Sequence, residues 1–105
     1  MTTFVITVPG TFLKELTGPA RAELLRGLRP RDPQRTELGA EEDLDILTVR
    51  EGGTFSLRLE VEAENAHAAE TAAKELAARA LADIGFTEEE APLGPTAVTG
   101  IDNDA

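Results

Sequence analysis

Cysteine, tryptophan and tyrosine are absent from the 105-residue chain, and there is one histidine. The first absence excludes disulfides, thiolate metal sites and cysteine nucleophiles outright. The lone histidine, His67, excludes a two-histidine zinc site. Aromatic residues amount to four phenylalanines, so the core must be built from Leu, Val, Ile and Ala. No window approaches the roughly 18 apolar residues needed to cross a bilayer. The start, Met1-Thr2-Thr3-Phe4-Val5, lacks the basic segment and long apolar run of a signal peptide, which makes the cytoplasm the expected location. Positive charge is also short. Ten Lys and Arg face twenty Asp and Glu, for a net charge of -10. Repulsion from phosphates opposes binding to nucleic acid or to an anionic membrane surface, and neither is expected as a partner.

What remains suits one small globular domain over residues 1–105. The hydrophobic fraction of 41% is ordinary for a folded protein. Phe4 to Val8 is a β-branched run that reads as a strand closed by the breaker pair Pro9-Gly10. Thr11 to Leu28 is mostly helical, interrupted at Gly18-Pro19. The secure helix is expected from about Pro19, with Leu24, Leu25 and Leu28 as its buried stripe. Phe12, Leu13 and Leu16 precede it as a short turn at the core edge. Pro30 and Pro33 then break the helix, and a mobile loop is expected over about 29–43.

Leu44 to Glu51 and Thr54 to Ala63 read as a hairpin around Gly52-Gly53. The second arm alternates cleanly, with Phe55, Leu57, Leu59 and Val61 against Ser56, Arg58, Glu60 and Glu62. Asn65 is a good N-cap for an alanine-rich helix over Ala66–Ile84, with Gly85 as its C′ residue. Ala69, Ala73, Leu76, Ala80 and Ile84 keep its 3.6 spacing, beside Ala77 and Leu81. Thr87 and Glu90 fit a capped turn. Thr96 to Ile101 supplies a last strand, and the polar end frays from about 102.

Strand, helix, two-stranded hairpin, helix, strand is the split βαβ order. Across the whole chain this order resembles that of ferredoxin-like folds. The fold class expected is therefore α+β, a βαββαβ sandwich with a four-stranded antiparallel sheet and two helices on one face. That fold hosts many unrelated functions, so it gives little functional leverage.

Register decides which side chains face the helices. A two-residue loop, Gly52-Gly53, places Ile46 opposite Leu59 and Leu44 opposite Val61, sending Leu47 and Val49 to the helix-free face. A three-residue loop, Glu51 to Gly53, puts Leu47 and Val49 in the core instead. It also sets Asp45 opposite Leu59, which is costly unless the strand ends first. The two-residue loop is favoured. Val5, Leu47 and Val49, flanked by Arg58, then form a candidate self-association face and a homodimer is expected through it.

No catalytic, cofactor-binding or metal-binding residues are identified, and no cofactor is expected. A Ser56–His67 nucleophile–base pair lacks the G-x-S-x-G elbow. The carboxylate groups Glu41-Glu42-Asp43, Glu60 to Glu64 and Glu88 to Glu90 lack calcium-loop spacing. Pro9-Gly10-Thr11 lacks the pattern of a phosphate loop. An RNA-binding sheet needs exposed aromatics that the outward positions Ser56, Arg58, Glu60 and Glu62 do not supply. Three functions follow: a non-enzymatic binding or assembly module with a protein partner, a small-molecule-binding protein or cofactor-free enzyme with a pocket between sheet and helices lined by Phe12, Leu13, Phe86 and Leu93, or an acidic inhibitor of a basic protein.

Overall fold

The computed structural model describes residues 2–31, 33 and 45–102. Strand β1 (Thr2–Thr11) does not stop at Pro9-Gly10 but runs through both. Proline has no N–H for a ladder, yet pairing of β1 with the last strand ends at Thr7, so no donor is required on that side of Pro9. Its carbonyl instead accepts from Gly94 N at 2.8 Å. Gly10 lies opposite Phe55, and a Cβ there would sit 2.4 Å from Phe55 Cζ. The pair that reads as a breaker is a strand segment shaped to receive a ring.

The remaining elements are α1 (Gly18–Leu28), β2 (Leu47–Val49), β3 (Thr54–Ala63), α2 (Ala66–Asp83) and β4 (Ala97–Asp102). The sheet order is β2-β3-β1-β4, with every neighbouring pair antiparallel. The class is α+β, with a four-stranded antiparallel sheet and two helices. Thr17 caps α1 by accepting from Ala20 N at 3.2 Å, and Asn65 caps α2 by accepting from Ala68 N at 2.8 Å. Gly85, at φ 88°, follows α2 as expected of a C′ glycine. Of the loop expected over 29–43, Arg29–Arg31 form a 3-10 turn continuing α1, while residues 32 and 34–43 lie outside the described residues.

One core joins Phe4, Ile6 and Val8 of β1 and Phe55, Leu57, Leu59 and Val61 of β3 to both helices. Leu24 and Leu28 come from α1, and Ala69, Ala73, Ala77 and Leu81 from α2. Alanine at three of the four buried α2 positions lets that helix lie close to the sheet. Phe12 stacks on Phe55 at 4.1 Å between centroids and meets Phe86 edge-on at 5.3 Å, closing the core at the hairpin end.

The hairpin register corrects the expectation from sequence. Arg50 N bonds Thr54 O at 2.8 Å, leaving Glu51–Gly53 as a three-residue loop with positive φ at Gly52 and Gly53. Leu47 therefore lies opposite Leu57 and Val49 opposite Phe55. Leu47 is 5% exposed and belongs to the core, while Val49 shares its face but lies 40% exposed at the edge. Neither joins Val5 and Arg58 on the helix-free face. The cost of Asp45 opposite Leu59 is avoided because β2 begins at Leu47. Leu44, expected in the core, lies outside the described residues.

A bulge interrupts the β1–β4 ladder between Val5 and Ile6. Gly100 opposes Val5, whereas Val98 opposes Ile6 and Ile101 opposes Phe4. The extra residue puts Val98 and Ile101, three apart, on the helix side, where both are partly exposed along an edge strand. The Thr99 hydroxyl is left to hydrogen-bond that of Thr7.

Candidate functional site

Two surfaces are built well enough to act on a partner. The first is a cleft of about 540 Å3 between α2 and the segment 86–93. Leu81, Phe86, Ala91, Pro92 and Leu93 supply apolar lining, and Thr71, Lys74, Glu75, Thr87 and Glu88 the polar groups. Thr71, Lys74, Glu75 and Ala78 recur at i, i+3, i+4 and i+7, so one stripe of α2 forms one wall. This stripe runs beside the buried one at Ala73, Ala77 and Leu81.

The opposite wall is held by the end of β1. Thr11 N donates to Pro92 O at 3.1 Å, Gly94 N to Pro9 O at 2.8 Å and Leu13 N to Glu90 O at 2.8 Å. Within the wall, Thr87 and Glu90 cap one another: Thr87 N bonds Glu90 Oε1 at 3.1 Å, and Glu90 N bonds Thr87 Oγ1 at 3.3 Å. Lys14 completes the clasp. Its Nζ lies 3.1 Å from Glu90 Oε2, donates to Gly85 O at 2.8 Å and stands 4.6 Å from the Phe86 ring centroid. The Thr87 backbone N–H, and then Lys14, hold the Glu90 carboxyl below its ordinary pKa.

Of the residues expected to line a single pocket, Phe86 and Leu93 do line this cleft. Phe12 and Leu13 belong to a separate hollow of about 430 Å3 with Lys14, Arg21, Val49 and Gly53. The sequence alone does not mark out the α2 stripe. Its spacing is visible there, but its role depends on where segment 86–93 returns, and that path is set by backbone hydrogen bonds.

The second surface is the helix-free face of the sheet. Arg50 Nη2 donates to Ser56 Oγ at 3.0 Å, and Arg58 Nη1 donates to Thr48 Oγ1 at 3.1 Å. Thr48 and Ser56 are direct cross-strand partners, so both guanidinium groups are drawn towards one hydroxyl pair. Val5, at 0% exposure, is sealed among its neighbours on this face. Thr7, opposite Arg58, and Glu60, opposite Val5, continue it.

Ser56 therefore serves an arginine on the helix-free face, while His67 is exposed on the first turn of α2, so the two do not form a nucleophile–base pair. Among the described residues, no group of three or more His, Asp or Glu is arranged to hold a metal ion. Nor is any described helix long and apolar enough to cross a membrane. Comparison of the chain with protein-family models, curated proteins and solved structures finds no match.

Proposed function

We propose that this chain is a non-enzymatic binding module whose ligand is a small, largely apolar molecule with a polar end, taken into the cleft beside α2. The observation that carries this reading is the cleft itself. Its volume falls within the range of about 300–1,000 Å3 usual for small-molecule sites. It is also lined as such sites are, with apolar side chains and a few polar groups at hand. Lys74 offers a donor on one wall, where the Thr71 hydroxyl, donating to His67 O, is left to accept, and Glu88 offers an acceptor on the other, enough to orient one polar end.

The fold is read here as ferredoxin-like, supported by the strand order β2-β3-β1-β4 with both helices sharing one core.

The test is a thermal-shift panel of small amphiphilic acids, amines and neutral compounds. A ligand at 100 times its Kd stabilises the native state by about 2.7 kcal/mol, a readily measured shift. Ligands in the cleft should lose their effect in Ala78→Trp, which fills it from the exposed side of α2, and keep it in Leu13→Asp, which alters the separate hollow. A panel with no stabilising compound, or stabilisation indifferent to Ala78→Trp, would count against the cleft.

A further inference from the structure

We propose that the helix-free sheet face is a self-complementary interface that pairs with a second copy of this chain, its two-fold axis running across the strands. Charge on this face is divided along β3. Arg58, together with Arg50 of the hairpin, lies towards the start of the strand; Glu60 and Glu62 lie towards its end. Among the described residues the ion pairs are Lys14–Glu90 and Arg26–Glu23, so none of these four charges has an ionic partner among the described residues. Arg58 turns to Thr48 although Glu60 stands two positions along the same face.

This arrangement selects one symmetry. A two-fold axis across the strands, near the level of Leu59, reverses strand direction in the facing copy. It then sets Arg58 against the second copy's Glu60, and Arg50 against its Glu62. A two-fold axis parallel to the strands, along the middle of the sheet, would set Arg58 and Glu60 of β3 against Thr7 and Val5 of the second copy's β1, giving none of the four charges an opposite partner. A closed two-fold contact of this kind satisfies each pair twice.

The rest of the face suits sheet-on-sheet contact. Thr3, Thr7, Thr48, Ala97 and Thr99 are small or β-branched, with no aromatic ring to hold two sheets apart. Two ten-residue strands and their flanks, at about 3.3 Å per residue and 4.8 Å per strand, offer on the order of 500 Å2 per copy. That is about 1,000 Å2 in total, near the lower limit for specific association. The expected dimer is therefore weak, with a dissociation constant in the micromolar range or above. The net charge of -10 opposes approach at long range, but a screening length of about 8 Å at physiological salt leaves the short pairs to decide.

The experiment is sedimentation velocity of the full chain from about 10 to 500 µM in 0.15 M salt, with two charge-reversed variants. R50E/R58E and E60R/E62R each set like charges together and should weaken dimerisation at least about tenfold. Mixed one to one, they should form a heterodimer at least as tight as the wild-type dimer. A merely structural role for these side chains cannot produce that rescue, and rescue also certifies that both variants fold. Circular dichroism and a urea midpoint for each variant alone establish folding independently. A wild-type chain that stays monomeric at 500 µM overturns the proposal. So does a dimer unchanged by either reversal, or two folded variants that fail to rescue one another. A dimer abolished by Val98→Asp but not by R50E/R58E would also overturn it, by assigning association to the β4 edge.

Discussion

Replacing Gly10 with alanine tests the junction between the sheet and the cleft wall. An alanine Cβ would lie 2.4 and 2.8 Å from Phe55 Cζ and Cε1 and 2.8 Å from the Pro92 carbonyl oxygen. The ring cannot retreat freely, because Phe12 stacks on it at 4.1 Å and Phe86 meets Phe12 in turn. The carbonyl cannot retreat freely either, since it receives Thr11 N at 3.1 Å. Overpacking of this kind costs about 1–3 kcal/mol, and the two-sided clash argues for the upper part. Lost unfolded-state entropy returns about 0.4–1 kcal/mol, leaving a net destabilisation of about 2 kcal/mol. In a domain of this size that lowers Tm by about 10 °C. Urea unfolding followed by circular dichroism measures it, in wild type and in a Phe55→Ala background. Without the ring the Gly10→Ala cost should fall by about half, the remainder belonging to the Pro92 contact. A Gly10→Ala protein within about 0.5 kcal/mol of wild type, or an equal cost in both backgrounds, would refute the reasoning.

Three further outcomes follow from the same geometry. Leu47→Ala should cost about 2–4 kcal/mol and Val49→Ala under about 1, measured by urea unfolding; equal effects would mean that the hairpin register is wrong. Asn65→Ala removes the acceptor of the Ala68 N–H and should cost about 1 kcal/mol, whereas Asn65→Asp should keep most of it. Glu90 has a folded-state pKa depressed from an ordinary value of 4.5, so its contribution to stability is present above that value and is lost as pH falls through the lower, folded one. The urea midpoint of wild type should therefore drop more steeply below about pH 4.5 than that of Glu90→Gln, and parallel curves would contradict the clasp.

Much of the fold is legible in the sequence, because the signals are local and mutually consistent. Asn65, the alanine stripe and Gly85 bound α2, and the alternation from Phe55 to Val61 orients β3. The register of β2 is not legible, for a specific reason. Leu44-Asp45-Ile46-Leu47-Thr48-Val49 carries apolar residues at both parities, so a period of two cannot choose between Ile46 and Leu47 for the core. Gly52-Gly53 does not choose either, since positive φ at both positions suits loops of two or three residues. The choice is made by distant contacts: Leu47 packs with Leu57, and the Phe12 N–H bonds Gly53 O at 2.8 Å, fixing the turn against the start of the next segment. One shift of register then carries Leu47 and Val49 off the helix-free face. That face is left polar and charge-divided instead of apolar.

The cleft was hidden for a related reason, and its origin bears on how it would work. Pro9 and Gly10 read as the end of a strand, yet their peptide groups and that of Thr11 are where segment 86–93 docks. The cleft wall is thus a backbone extension of β1, with its side chains contributing the capped Thr87–Glu90 turn and the Lys14 clasp. Such a wall has few buried apolar anchors beyond Phe86 and Ala91 and is tied mainly by exposed polar contacts. Segments of that kind open at lower free energy than the sheet on which they rest. A ligand that touches Leu93 and Phe86 on this wall and Ala78 on α2 would bridge the less stable layer to the more stable one. Binding free energy would then appear first as protection of the 86–94 amides from exchange, while the amides of β3 and α2, already limited by global unfolding, would change only with overall stability.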